Sequence, residues 1–146
     1  MVAKFYRLRG VNNTGQTMTF DGAARIAIRM MGWKLGASGL LTYGTVFTED
    51  LGFSAGETIA DAGEVEGAVI DNSSDLFYGI KGYISVLHDL AAASGNFDLY
   101  MEESDADANW LSDAASFDIT KHMKFLAGLS IINDATDEDS AMNFDI

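Results

Sequence analysis

An acidic stretch in the second half of the chain has residue types and spacing that could bind a metal ion. The letters "DADAN" place side-chain oxygens at Asp105, Asp107 and Asn109, the spacing that opens an EF-hand calcium loop. The match then fails, because the sixth position, which requires Gly for a sharp turn, is Trp110, and the twelfth, which requires a bidentate Glu, is a serine. The pattern therefore favours a solvated acidic loop, and a looser calcium site that adds Asp113 is the alternative.

Catalytic chemistry has little support in the residue types. Only His88 and His122 titrate near neutral pH unaided, and neither lies in a nucleophile or zinc motif. His88 adjoins Asp89, but successive side chains of a strand point to opposite faces, which argues against a working pair. Cysteine is absent, which excludes thiol nucleophiles and thiolate metal sites. We therefore expect no enzymatic activity, no catalytic or metal-ligating residue and no cofactor; a carboxylate-based or metal-dependent hydrolase is the enzymatic alternative.

The charge of the chain is strongly negative and unevenly distributed. The net charge is −13, which repels phosphate backbones and argues against nucleic acid as a partner. Residues 1–34 hold six basic residues against Asp21 alone, a net charge of +5, whereas the remainder holds three basic residues against 21 acids, a net charge of −18. Opposite charges on two parts of one chain allow copies to attract one another head to tail, or let the basic part dock on an acidic partner.

Six residues are predicted to lie at such an interface. The arginines of the basic part would engage acidic neighbours, and the simpler alternative is that they pair with carboxylates of the same fold. The two tryptophans lie beside turn sequences, where a large aromatic side chain covers a core edge, anchors an interface or stacks on a carbohydrate. The predicted interface residues are Arg7, Arg9, Arg25, Arg29, Trp33 and Trp110.

Alternation of apolar and polar residues predicts the strands that must position these side chains. Turn sequences rich in Gly, Asn and Asp separate the alternating stretches, and proline is absent. A closing strand is predicted at "AMNFDI". The predicted inward faces are Ile26, Ile28 and Met30; Ile80, Gly82, Ile84 and Val86; Phe97, Leu99 and Met101; and Met123, Phe125, Ala127, Leu129 and Ile131.

These strands favour a single mainly β domain over residues 1–146, an antiparallel β-sandwich or jelly roll. Two segments, "DGAARIAIRMMGWKL" and "VLHDLAAASG", have helical alternatives, so one short helix is compatible with the class. Residues 51–75, rich in Gly and acid, are expected to form either a long loop or arm that orders on assembly, or short strands joined by turns. No apolar run approaches the roughly 20 residues of a membrane helix, and no signal-peptide core is present, so we expect neither membrane association nor export.

The later half of the chain follows a recurrent order of strand, acidic hairpin and closing strands. The stretch "NFDLYMEESDADANWLSDAASFDIT" is followed by "FLAGLSIIND" and a terminal "MNFDI". This order resembles small β-rich proteins encoded among the structural genes of tailed bacteriophages, in which a strand enters an Asp- and Asn-rich hairpin with a Trp before further strands close a sandwich. The resemblance is carried by Phe97, Leu99, Tyr100, Trp110, Phe117 and Asp118.

The resemblance implies a non-enzymatic structural protein located in the virion. It most directly implies a capsid decoration (cement) protein, a homo-oligomer that stabilises the shell through repeated contacts with the major capsid protein. A tail tube or tail accessory protein, contacting other tail subunits, is the alternative within this class. From a different class, the alternative is a monomeric carbohydrate-binding β-sandwich that uses Trp33 or Trp110 as a stacking platform.

Overall fold

The computed structural model of the chain describes residues 2–20, 25–49, 51, 57–88, 90, 94–106, 110, 112, 123–131 and 138–146. These residues form antiparallel sheets packed together, with no α-helix among them, which confirms the predicted mainly β sandwich. The strands in chain order are β1 (Phe5–Asn13), β2 (Met18–Phe20), β3 (Arg25–Leu35), β4 (Leu41–Tyr43), β5 (Phe47–Glu49), β6 (Glu57–Ile59), β7 (Glu64–Glu66), β8 (Ile70–Asp71), β9 (Gly79–His88), β10 (Asn96–Ser104), β11 (Lys124–Ser130) and β12 (Glu138–Asp145).

The first sheet is built around β1. Its strand order is β11-β10-β1-β7, and β8 pairs with β1 further along the same edge as β7. β1 and β10 pair over their full length, from Phe5 opposite Ser104 to Asn13 opposite Asn96. A strand near the start of the chain is thereby joined to one in its second half.

The second sheet is built around β3 and β9. Its strand order is β12-β9-β3-β4, and β5 also pairs with β3. β3 and β9 pair from Arg25 opposite Leu87 to Trp33 opposite Gly79. A separate ribbon, β2 with β6, completes the strands of the described residues.

The core lies between the inward faces of the two sheets, where the predicted alternation holds in three of the long strands. Because the side-chain period of a strand is two, one face of each strand is buried while its neighbours point away. The first sheet adds inward residues from β1 that the alternation argument had not included, Tyr6 and Leu8. The buried inward residues shared by the long strands are Tyr6, Leu8, Ile26, Ile28, Met30, Ile80, Ile84, Val86, Phe97, Leu99 and Met101.

The prediction that Phe125 of β11 points inward is wrong. Ala127, Leu129 and Ile131 are buried as expected, but Phe125 is 54% exposed. The register between β10 and β11 shifts at this point, so that Leu99 is opposite Ala127 while Tyr100 is opposite Phe125. This β-bulge moves Phe125 to the outer face of the first sheet, where its ring contacts Tyr100 edge to face with 5.4 Å between centroids.

The two helical alternatives and the long-arm alternative are not observed in the described residues. Residues 25–35 form β3, and the "VLH" part of the second segment continues β9 as far as His88. Within residues 51–75, the described part contains the short strands β6, β7 and β8, in agreement with the alternative of strands joined by turns. The β-branched and aromatic neighbours in β3 pack well on a pleated surface, which overrides its moderate helix propensity.

Candidate functional site

Arg7 lies at the centre of a polar cluster on the outer face of the first sheet. It is directly opposite Glu102 on β10, and its Nε donates to Glu102 Oε2 at 2.8 Å. Its Nη2 donates to the Ser112 hydroxyl at 2.6 Å, and its Nη1 lies 3.2 Å from the Glu66 carboxylate. The guanidinium also lies over the Trp110 ring, 4.4 Å from its centroid. These contacts hold residues 110 and 112 against the sheet.

The Glu102 side chain is completely buried within this cluster. Its Oε1 accepts a hydrogen bond from the Ser112 main-chain N–H at 2.8 Å, and its Oε2 accepts one from the Ser112 hydroxyl at 3.1 Å. Burial alone raises the pKa of Glu102, but the hydrogen bonds from Ser112 and Arg7, together with the Arg7 charge, outweigh burial and hold the pKa below its ordinary value. The carboxylate is therefore ionised near neutral pH and acts as a structural partner of Arg7.

Arg9 is also paired within the chain. Its Nη2 donates to Glu66 at 2.7 Å and its Nη1 to Glu64 at 3.5 Å, because β7 pairs with β1 at this position. The simpler alternative, pairing inside the fold, therefore describes the contacts of Arg7 and Arg9. Trp110 is likewise packed, with 8% of its surface exposed. A role for these three residues at an interface stays a prediction.

The outer face of the second sheet is different in character, since apolar side chains lie on it uncovered by the described residues. We call it the open face. Ile28 and Met30 point into the core, so their neighbours on β3 point outward, and the cross-strand pairs place the outward residues of β4, β9 and β12 beside them. Val46 follows β4 and lines the same surface. The open face consists of Arg29, Met31, Trp33, Leu35, Leu41, Tyr43, Val46, Lys81, Tyr83, Asn143 and Asp145.

Large apolar side chains are exposed on and beside this face. Leu35 and Leu41, which are opposite one another, are 51% and 56% exposed, and Tyr43 is 46% exposed. Leu40, in the turn between them, is 71% exposed. Isolated exposed apolar residues are ordinary, but a contiguous group on one sheet face is typical of a binding surface.

A groove of about 610 Å³ crosses the open face between β3, β9 and β12. Arg29, Lys81 and Asp145 contribute the charged groups of its lining, and Met31, Val46 and Tyr83 contribute much of its apolar surface. A smaller groove of about 210 Å³ continues past Lys81 along Trp33 and Tyr43. The open face is therefore a concave apolar surface with two cations and one carboxylate.

The two cations of the open face have no ion-pair partner among the residues that the structure describes. No carboxylate of the described residues lies within 4.0 Å of the Arg29 guanidinium or the Lys81 ammonium. Arg29 is exposed, and Lys81 Nζ lies 4.0 Å from the centroid of the Tyr43 ring. A cation held over an aromatic ring gains modestly from the ring quadrupole and remains available to an anion.

Trp33 points to the open face through the alternation of β3, and its indole occupies the space beside a position of β9 that has no side chain. Its cross-strand partner is Gly79, and a Cβ at that position would come within 2.5 Å of the indole and also meet the Ile146 carbonyl. The indole therefore packs flat across β9, half-buried and adjacent to Tyr43. Of the six predicted interface residues, the structure brings Arg29 and Trp33 together on this face.

The open face contains residues that the sequence argument did not select. Leu35, Leu41, Tyr43 and Lys81 belong to it, and they were not assigned to any site. A signal is present in "MMGWKL", where the outward residues of β3, Met31, Trp33 and Leu35, are all apolar. When both faces of a strand in an antiparallel sheet are apolar, either both faces are buried or one of them is a binding surface.

The remaining predicted site residues are only partly described. The main chain of Arg25 is opposite Leu87 in β3, and its side chain lies outside the described residues. Of the alternative calcium site, Asp105 is exposed at the end of β10, whereas Asp107, Asn109 and Asp113 lie outside the described residues. His122, Phe117 and Asp118 lie outside them too.

His88 is buried at the end of β9, with its Nδ1 accepting a hydrogen bond from the Leu90 N–H at 3.4 Å. The neighbouring Asp89 lies outside the described residues, so the expected opposition of these two side chains stays a prediction. Over the described ranges, no three His, Cys, Asp or Glu side chains are grouped closely enough to hold a metal ion. The same part of the chain has no helix with the length and apolar character needed to cross a membrane.

Comparison with known proteins adds no relative: no protein-family model, no curated protein and no solved structure matches the chain. The fold and the open face together define an antiparallel β-sandwich with one concave apolar sheet face.

Proposed function

We propose that this chain is a non-enzymatic structural protein of a tailed bacteriophage virion, acting as a capsid decoration (cement) protein. Its partners would be the major capsid protein and further copies of itself. The observation that supports the proposal is the open face, which presents Leu35, Leu41 and Tyr43 to solvent on a rigid sandwich. A protein that works by repeated contact needs such a surface and needs no reaction chemistry.

The energetics favour a partner for this face. Covering apolar surface contributes on the order of 25 cal/mol per Å² removed from water. Aromatic residues and arginine are enriched where binding energy is concentrated, and the open face has Trp33, Tyr43, Tyr83 and Arg29 within one groove system. Antiparallel pairing of β3 with β4 and β9 fixes these side chains on strands, so little ordering is required on contact.

The experiment that tests the proposal uses shells of the encoding virus assembled without this protein. Purified protein should bind such shells at a fixed number of copies and raise the temperature at which they open. The double variant Leu35→Ser/Leu41→Ser should bind at least about tenfold more weakly, equivalent to the loss of roughly 1.4 kcal/mol or more.

A matched control is Phe125→Ser, which removes a similarly exposed apolar side chain from the outer face of the first sheet. It should bind the shells as the wild type does. Absence of the protein from purified virions, together with no binding to shells, would contradict the proposal. Presence in the tail instead, seen by labelling intact particles, would move the chain to the tail tube or accessory role in the same class.

One observation favours a second candidate, a carbohydrate-binding module. Trp33 and Tyr43 are cross-strand neighbours in the smaller groove, and Asp145 lies in the same lining. An aromatic pair of which Tyr43 is exposed and Trp33 half-buried, beside a carboxylate, is suited to stacking on a sugar ring and accepting its hydroxyl hydrogen bonds. A change in Trp fluorescence on addition of glycans, lost in Trp33→Ala, would support this candidate; Trp110 is packed against Arg7 and is not part of it.

A further inference from the structure

We infer that the open face binds an acidic edge of a second copy of this chain, so that copies associate head to tail. The inference rests on the proposed function, because it specifies the repeated contact by which such a protein would act. It depends on two surfaces of the same molecule that differ in position and in charge.

The acidic edge is a segment that runs along β1. Hydrogen bonds join Asn12 N–H to the Gly63 carbonyl, Gly67 N–H to the Leu8 carbonyl and Asn72 N–H to the Lys4 carbonyl, with β7 and β8 paired between them. Residues 62–72 therefore follow one edge of the first sheet along β1, roughly 30 Å at the usual rise per residue, and the segment then reaches β3, where Lys34 contacts Asp75. The carboxylates of residues 61–75 are all exposed, and we call them the acidic edge: Asp61, Glu64, Glu66, Asp71 and Asp75.

Among the described residues, cations pair with three of the five carboxylates of the acidic edge. Arg9 pairs with Glu64 and Glu66, Arg7 Nη1 also lies 3.2 Å from Glu66, and Lys34 lies 4.0 Å from Asp75. No cation of the described residues lies within 4.0 Å of Asp61 or Asp71. Residues 61–75 contain no Lys or Arg, so an excess of negative charge remains on this edge.

The open face has the opposite character. Its groove contains Arg29 and Lys81 against Asp145 alone, a net positive lining on a chain whose net charge is −13. Neither cation has a carboxylate partner among the described residues. Charge complementarity across an interface accelerates association and fixes the register of the partners.

A second copy is the occupant that these observations favour. Glu64 and Glu66 of the acidic edge lie beside β1 on the first sheet, whereas the open face is the outer side of the second sheet, so one molecule can use both surfaces at once. The two surfaces approach one another at the other end of the edge, where Asp71 and Asp75 line a groove with Met31.

Two open faces placed together would bring two Arg29 and Lys81 pairs into one apolar contact, which like-charge repulsion opposes. Contact between different surfaces is heterologous, and such contacts close into a ring or continue as a filament.

The edge also contributes apolar contacts to such an interface. Val69 is 39% exposed and Leu76 is 50% exposed, and both lie within or next to the acidic segment. These side chains would enter the groove beside Met31 and Val46 while the carboxylates meet the two cations. The contact would thus combine an apolar centre with charged groups that set its direction.

Charge-reversal variants test the inference. The face variant is Arg29→Glu/Lys81→Glu, and the edge variant is Glu64→Lys/Asp75→Lys, which alters the two edge carboxylates with long ion-pair distances of 3.5 and 4.0 Å. Each variant alone should associate at least about tenfold more weakly than the wild type, since its two surfaces now carry like charge. An equimolar mixture should recover the association, because the acidic face of one variant complements the basic edge of the other.

Sedimentation velocity at low salt measures these masses, and circular dichroism confirms that each variant is folded. The control Lys4→Glu/Lys124→Glu makes the same change of charge at exposed lysines outside the groove and should associate as the wild type does. Failure of the mixture to associate would overturn the inference, and so would an edge variant that associates normally. A wild type that binds shells but stays monomeric would overturn the inference of self-association and leave the proposed function standing. Self-association without any binding to virions would overturn the proposed function and leave the inference standing.

Discussion

Arg7 and Glu102 form a buried ion pair across two neighbouring strands, with Arg7 Nε 2.8 Å from Glu102 Oε2. The pair lies on the outer face of the first sheet, where Trp110 and Ser112 cover it. A side of the sandwich that would otherwise be polar and open is thereby closed. The corresponding face of the second sheet has no such cover among the described residues, and this difference between the two faces underlies the functional proposal.

Replacement of Glu102 by Gln tests the structural role of this pair. Glu102→Gln keeps the shape of the side chain but removes the charge from a fully buried site, leaving Arg7 without its best partner. We expect the free energy of unfolding to fall by about 1 to 3 kcal/mol. The matched control is Glu66→Gln, whose side chain is 48% exposed and also contacts Arg7; it should cost less than about 1 kcal/mol. Chemical denaturation measures the free energy of unfolding of both variants. Equal losses for Glu102→Gln and Glu66→Gln would contradict the structural role of the buried pair.

The pH dependence of the same residue has a defined sign. The pKa of Glu102 is lower in the folded chain than its ordinary value of 4.5. Its stabilising contribution is therefore complete above about pH 4.5 and is lost as the pH falls through the lower, folded-state pKa. The difference in unfolding free energy between the wild type and Glu102→Gln should shrink as the pH falls below about 4.5. A difference that stays constant down to pH 2 would show that Glu102 titrates normally.

The strands could be predicted wherever alternation alone decides them. β3, β9 and β10 were identified in this way because one face of each strand is apolar and buried. β1 also alternates, with Tyr6 and Leu8 inward and the charged Arg7 and Arg9 outward, so its apolar face is short and gives a weaker strand pattern. Since Arg7 is buried only through partners as distant in sequence as Glu102, no local pattern could indicate its burial.

The functional face was harder to predict for a physical reason. An interface formed by cross-strand neighbours depends on the register between the strands. The pairing of Trp33 with Tyr43, or of Met31 with Lys81, is set by that register and cannot be read from the sequence of one strand. Phe125 illustrates the same limit, because one bulge in β11 reversed the face of a residue that alternation had placed inward. The charge split was visible in the sequence, but which cations remain available could be read only from the ion pairs.

Close packing in the core predicts a second stability effect. The Phe97 ring lies over Gly10, and a Cβ at that glycine would also come within 2.9 Å of Leu51 Cδ1. Gly10→Ala should therefore overpack the core and lower the free energy of unfolding by about 1 to 3 kcal/mol. The control is Gly128→Ala in β11, where the nearest atom is Asp98 Oδ1 at the end of a side chain that can move. Thermal unfolding should give a clearly lower midpoint for Gly10→Ala than for Gly128→Ala. A Gly10→Ala variant as stable as the wild type would contradict this packing.

Stability at high pH should depend on Tyr6. Burial raises the pKa of Tyr6 to about 12 from 10.0. The unfolded chain therefore loses this proton more readily, and the stabilisation is complete below pH 10 and lost as the pH rises towards 12. The advantage of the wild type over Tyr6→Phe should fall by roughly 2 to 3 kcal/mol across this interval. An advantage of the wild type that stays constant from pH 10 to pH 12 would contradict the burial of the Tyr6 hydroxyl.

The central claim is that copies of the chain associate through the open face, and the mass of the protein in solution tests it most directly. Light scattering at low salt over a range of protein concentrations should give a mass that rises above the 15.7 kDa of one chain. The double variant Leu35→Ser/Leu41→Ser should remain at 15.7 kDa under the same conditions, whereas Phe125→Ser should match the wild type. A wild-type mass of 15.7 kDa at every concentration, or undiminished association of the double variant, would contradict the claim.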